Sequence, residues 1–316
     1  MSETSAGIPQ ISREEFAARR RQLLDVLGDQ AVAIVRAADL QVRNHDAEYP
    51  FRQNSDFLYL TGFNEPEAVA VFIPGREDGE FVLFCQEKDP LAERWTGIRA
   101  GTEGAVKDYG ADQAFLLKEL DSRLPELLKG RDEIHYRIGS DPVLDGKVIG
   151  WLQRLRAQAR NGVAAPTRWW CWMRLCTIAP VQVRGGNRHD AACCGYGGRA
   201  HTRAMQVCQP GRFEFEIEAE LLREFRRDGM EPAYTSIVGG GANACILHYV
   251  TNRCALRDGD LLLIDAGGEH HGYASDITRT SSGQWPFPAA AAPVVSGGAG
   301  CAGGGDCSRQ AGQWLE

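Results

Sequence analysis

The tightest constraint on this chain is the run from Leu261 to Thr280, LLLIDAGGEHHGYASDITRT, which demands a sharp antiparallel return. Leu261 to Asp265 is apolar and ends on a carboxylate, Gly267 to Gly272 carries turn residues, and Tyr273 to Thr280 alternates as a return strand. A turn centred between His270 and His271 sets Asp265 directly opposite Asp276, on one face of the hairpin. Opposed side chains have Cβ atoms roughly 4.5–5.5 Å apart, and like charges there destabilise a sheet unless something positive lies between them. Two divalent ions about 3.5–4 Å apart would fit such a pair of carboxylates. Spacing alone leaves open that both aspartates are polar hairpin positions facing water.

The text from Thr235, TSIVGGGANACILHYVTN, followed by RDGDLLLIDAGGEHHGYASDITRT, resembles the metal-binding half-site of the aminopeptidase P and prolidase group, whose catalytic domain has the pita-bread fold. The resemblance places that group's two metal-binding strand aspartates on Asp265 and Asp276, and its substrate-side catalytic histidine on His248. Upstream, YPFRQNSDFLYLTGFNEPEAVAVFIPG, from Tyr49 to Gly75, is similar to the N-terminal domain of Xaa-Pro aminopeptidases. The implied fold class is α+β: a mixed α/β N-terminal domain of the aminopeptidase P type over residues 1–167, then an incomplete pita-bread (creatinase/aminopeptidase-like) domain over 200–280.

The implied activity is metal-dependent release of the N-terminal residue from peptides with proline in second position. In that chemistry a metal-activated water attacks the carbonyl, and a ligand-shell glutamate relays a proton to the proline nitrogen. Dinuclear Mn²⁺ is the implied cofactor, whereas the residues alone support only a hard divalent ion. The group's N-terminal domain assists assembly and walls the active site. A homo-oligomer is therefore implied for an intact chain, with Arg52, Asn54, Asp56 and Trp95 as substrate-binding or interface candidates. Read without the resemblance, these four are equally a polar loop and a packed tryptophan. Xaa-Pro dipeptidase (prolidase) is the alternative within the same class, and a non-catalytic folding or association fragment the alternative outside it.

Around the half-site the text is uneven. Residues 168–199 concentrate Trp, Cys, Gly and Arg with neither helical nor strand period, so no element is expected there, and the resemblance resumes at Ala200. Residues 281–316 are rich in Ala, Gly, Pro and Ser and are expected to be disordered. A single cause for both would be a reading-frame error in the gene, which resequencing would expose. The group's metal site also takes a histidine and two glutamates from a later part of the chain. Here no histidine follows His271, and the only carboxylate side chains after Asp276 are Asp306 and Glu316. Two aspartates alone are expected to hold a divalent ion only loosely, and the literal chain is expected to lack a complete site.

The remaining features narrow the class. A net charge of −7 with both signs interspersed argues against nucleic-acid or anionic-membrane partners and is neutral about small peptides. The first residues lack a signal peptide's apolar core and no run of roughly 18 apolar residues occurs, so a cytoplasmic location is expected. Of ten cysteines, six lie in the two anomalous stretches; Cys85, Cys208, Cys245 and Cys254 lack zinc spacing and are expected to be reduced. Gly239, Gly241 and Ala244 mimic a dinucleotide fingerprint, but the β-branched and aromatic text from Ile246 to Thr251 predicts a strand where a helix would be required. On that strand His248 could equally be a buried core histidine. His270 and His271 are expected to diverge into solvent at the hairpin tip.

Helical periodicity with a capping box at Ser12 and Glu15 predicts an opening helix that stops at Gly28. Strands are expected over Ala31 to Val35, Ala68 to Ile73, Glu80 to Cys85 and Glu133 to Ile138, and helices around Gln113 to Leu128 and Pro142 to Arg160. Phe213, Ile217, Leu221 and Phe225 recur every fourth residue and predict a further amphipathic helix.

Overall fold

A computed structural model describes residues 10–170 and 184–282, with residues 184–188 described by their backbone alone. The chain divides into two compact units, residues 10–185 and residues 186 onward. In the first, α1 (Arg13–Leu27) is capped by Ser12, whose hydroxyl accepts from the Glu15 amide, and it ends at Gly28. Next come β1 (Ala31–Arg36), the small β2 (Val42–Asn44) and β3 (Ala47–Glu48) hairpin, α2 (Ser55–Thr61), β4 (Val69–Phe72) and β5 (Phe81–Cys85). They are followed by α3 (Glu93–Thr96), α4 (Gly101–Lys107), β6 (Gln113–Leu116), α5 (Leu120–Leu128), β7 (Glu133–Tyr136), α6 (Pro142–Ala157) and β8 (Arg168–Trp170).

Six of these strands make one mixed sheet in the order β6-β5-β4-β1-β7-β8. Its two faces carry separate apolar clusters, one around Leu23, Phe57, Phe63 and Phe72, the other around Ile34, Phe84, Leu124 and Trp151. Neighbouring apolar positions along β1, β4 and β5 therefore belong to opposite clusters, and apart from half-buried Arg36 these strands are buried, as expected for a sheet covered on both faces.

Two expectations fail here. Gln113 to Leu116 is a strand, because pairing in parallel with β5 (Val82↔Gln113 to Cys85↔Leu116) outweighs local helix preference; the helix begins only after it. Arg168 to Trp170, where no element was expected, extends the sheet beside β7, with the Trp169 ring edge-on to Tyr136 at 5.8 Å.

The second unit begins with α7 (Arg184–Val207), which runs unbroken through Ala200. Its buried apolar positions are Cys193, Ala200 and Ala204, residues too small to register as an apolar period in the sequence. Small residues serve because the contact is close: a Cβ on Gly197 would come within 2.8 Å of Ile277 Cδ1. These positions pack with Ile217, Leu221 and Phe225 of α8 (Glu214–Arg227).

Then follow β9 (Glu231–Pro232), β10 (Ile237–Gly240), β11 (Leu261–Asp265), β12 (Gly268–His270), β13 (Tyr273–Ala274) and β14 (Thr278–Ser282). They form two antiparallel sheets, β10-β11-β14 and β13-β12-β9. The strand expected over Ile246 to Thr251 is absent: a five-residue 3₁₀ segment, Gly241–Cys245, leads into loop, with Leu247 91% exposed. The tail from residue 283 lies outside the described residues. Among the described cysteines all are free thiols; Cys85 and Cys208 are buried, Cys245 and Cys254 exposed.

The hairpin tip also departs from expectation. His270 is buried, its ring 4.2 Å from His271 and 6.3 Å from His189 of α7, while His189 stacks on Tyr273 at 5.3 Å. Burial, then the charges of His271 and His189, push the His270 pKa down to about 4. An unfolded chain takes up this proton near pH 6.5, so the fold keeps full stability above that pH. It loses up to about 1.4 kcal/mol per pH unit as pH falls from 6.5 toward 4. Burial lowers the pKa of His201 as well, which adds to the slope. Thermal unfolding across this window should show a falling Tm that His270→Gln makes shallower; an identical slope in the variant would contradict the assignment.

Candidate metal centre

Asp265 ends β11 and Asp276 lies between β13 and β14. The ladder sets Asp265 across from Thr278 and His270 across from Tyr273, which moves the turn onto His271 and Gly272. Both have positive φ, 51° and 80°, the pattern of a two-residue I′ turn, and glycine in second place makes that turn inexpensive. The expected register, with Asp265 opposite Asp276, was thus two residues off. A slip of two preserves the side-chain face, so the two aspartates become diagonal neighbours on the same side.

Tyr234, in the segment leading into β10, closes the arrangement. Its hydroxyl lies 2.5 Å from Asp265 Oδ1 and 2.9 Å from Asp276 Oδ1. Burial, then these two carboxylates as acceptors and as charges, raise the pKa of the phenol, so it stays protonated. One hydroxyl carries one proton and serves one aspartate at a time; two carboxylates sharing it remain an anion-rich pocket. Sequence reasoning missed Tyr234. Its only signal was long-range, the pairing of Ile237 with Asp265 across β10 and β11.

Behind the pair, buried His201 meets the Ala266 carbonyl through Nε2 at 3.0 Å, tying α7 to the strand end that carries Asp265. The Ala266 amide donates to the Ile277 carbonyl and the Ser275 amide to Gly268, so the backbone ladder continues past both aspartates. The donor set is hard oxygen, which suits a hard divalent ion, but two carboxylates and a phenol do not enclose one. Among the described residues no three His, Cys, Asp or Glu side chains converge as a metal cage.

The other candidates are placed differently. His248 is an exposed loop residue with φ 56°, not a strand residue, and makes no hydrogen bond among the described residues. Asn54 caps α2, accepting from the amides of Asp56 and Phe57 at 3.0 and 3.1 Å. Arg52 donates to the Gln53 carbonyl and the Ser55 hydroxyl, and Asp56 sits in the first turn of α2. Trp95 is 91% exposed rather than packed. These four belong to the first unit, and His248 and the aspartates to the second.

Comparison with known proteins agrees with both halves. Residues 16–135 match the family model for the aminopeptidase P N-terminal domain, and residues 191–292 that for metallopeptidase family M24. The second match reaches beyond 200–280 on both sides, so the likeness starts before Ala200 and continues past Thr280. The Xaa-Pro aminopeptidase of Escherichia coli (strain K12) is 43% identical over 279 residues, covering 86% of this chain and 62% of that protein. The corresponding protein of Haemophilus influenzae is 35% identical, covering 87% and 62%.

Among solved structures, the Pseudomonas aeruginosa aminopeptidase PepP matches with a TM-score of 0.86 and 46% identity, over 89% of this chain and 64% of that one. A zinc-substituted E. coli aminopeptidase P in complex with product matches with a TM-score of 0.86 and 41% identity, over 89% and 65%. The chain therefore spans somewhat less than two thirds of the length of these relatives. Among the described residues no helix is long and apolar enough to cross a membrane.

Proposed function

The chain belongs to the aminopeptidase P group of the M24 metallopeptidases, and from that premise we propose that its site serves metal-dependent release of an N-terminal residue from peptides with proline in second position. The observation that carries this reading is the convergence of Asp265 and Asp276 on the single hydroxyl of Tyr234. Asp265 and Asp276 supply two of the carboxylates, with further ligands drawn from beyond the described residues. A divalent ion bound there, Mn²⁺ in this proposal, would polarise the scissile carbonyl and lower the pKa of water. Tyr234 holds the pair before the ion arrives, and His248, on its exposed loop, hydrogen-bonds the substrate on the open side.

Exposed Trp95, with Leu91 and Ile98 at 67% and 86% exposure, supports an interface between copies of the chain. Arg52, Asn54 and Asp56, in and just before the start of α2, complete the substrate-side or interface candidates of that unit, in a protein of the cytoplasm. The test is hydrolysis of Ala-Pro-Ala and of the dipeptide Ala-Pro by the 316-residue chain with Mn²⁺, beside a chain extended to the relatives' full length. Cleavage of the tripeptide by the extended chain is the expected result. Cleavage of the dipeptide alone would favour the dipeptidase reading, and inactivity of both chains a non-catalytic association role.

A further inference from the structure

Glu214, the first residue of α8, is a fully buried carboxylate remote from the aspartate pair in the sequence. Its Oε1 accepts from the Gly240 amide at 2.9 Å and the Asn243 side-chain amide at 3.0 Å. Its Oε2 accepts from the Tyr249 hydroxyl and the Cys254 amide, both at 2.8 Å. Burial pushes its pKa up, but these four donors outweigh burial and leave it below the usual carboxylate range. All four come from one stretch, residues 240–254, which otherwise has little regular structure and exposes Ile246, Leu247 and Val250.

One turn along α8, Glu218 accepts from Asn252, whose backbone is left-handed (φ 47°) and whose side chain also bonds Val238 and Ser236. His248 lies between the pinned residues Asn243 and Tyr249, adjoining the second. We infer that Glu214 is the positioning residue of the substrate-side loop, its charge gathering four donors so that the His248 backbone is held in its left-handed conformation. The link to substrate rests on the functional reading above; the link from Glu214 to the loop does not.

Glu214→Gln keeps the volume and removes the charge, so one oxygen and one amide must face four donors. Amide hydrogen exchange of the 316-residue chain should then rise at least about tenfold at Gly240 and Cys254, while Leu221 and Phe225 of the same helix stay at wild-type rates. The His248 ring resonance should shift, and that of buried His270 should not. Wild-type exchange in Glu214→Gln would overturn the inference, since a carboxylate that merely fills space is replaced by Gln without loss. If that variant does not fold, Tyr249→Phe removes one donor of the four, and a rise of roughly threefold confined to residues 246–254 is expected; a uniform rise along the unit would overturn the inference. Titration with Ala-Pro-Ala separates the two claims. A wild-type His248 signal indifferent to the tripeptide would remove the substrate-side reading, while the exchange result would still decide the role of Glu214.

Discussion

Alanine in place of Asp265 is expected to lower Mn²⁺ affinity at least about tenfold, from a starting value already weak, on the order of 0.1–1 mM for a site with few protein ligands. Asp276→Asn should do the same while leaving the ion-free chain as stable as wild type or slightly more so. The sign of that stability change is diagnostic. Two carboxylates share a single phenolic proton, and neutralising the exposed one relieves like-charge repulsion without opening a cavity. Tyr234→Phe should act in the opposite sense, lowering the Tm of the ion-free chain because the pair loses its donor, at a cost of about 1.5–3 kcal/mol. Thermal unfolding with and without Mn²⁺ measures both effects through the ligand-dependent shift in Tm. A wild-type Mn²⁺ shift in Asp276→Asn would mean that the pair is a solvated hairpin feature and no metal centre.

The second large effect is expected from a residue with no functional group. A Cβ at Gly267 would lie 1.7 Å from the Ser275 carbonyl oxygen, an obstacle of backbone rather than of a side chain able to swing away. Gly267→Ala must therefore push the two legs of the hairpin apart between Asp265 and Asp276. Overpacking commonly costs about 1–3 kcal/mol, and a backbone clash in the middle of a ladder belongs at or above the upper end. Because Ser275 immediately precedes Asp276, the displacement should also loosen the Tyr234 contact and weaken ion binding together with stability. Gly28→Ala is the contrast: that glycine, unlike Gly267, has positive φ (81°) but meets nothing within 4 Å of an added Cβ, so it should show only backbone strain, with Mn²⁺ affinity unchanged. A Gly267→Ala chain with wild-type Tm would show that the hairpin legs are free to separate.

Much of this molecule could be read from local text. The capped helix at Ser12, the buried runs at Ala31, Val69 and Phe81, the fourfold spacing from Phe213 to Phe225 and the shared face of Asp265 and Asp276 each follow from period, cap or parity within a few residues. The errors arose where the deciding partner was distant. Gln113–Leu116 became a strand because β5 was waiting for it, and α7 formed across five glycines because its small buried Cys and Ala residues allow close approach to the hairpin.

The sequence by itself determined the family and the parity that puts Asp265 and Asp276 on one face, because parity survives any slip of two residues. Tertiary structure alone decided the register of the turn, the burial of His270, the loop conformation of His248 and the contacts of Tyr234 and Glu214. A hydroxyl between two carboxylates, or a carboxylate beneath four donors, depends on segments separated by 26 to 42 positions meeting at hydrogen-bond distance. Only the packing of α7 and α8 against the strands brings them there, and no local pattern in the chain encodes that distance.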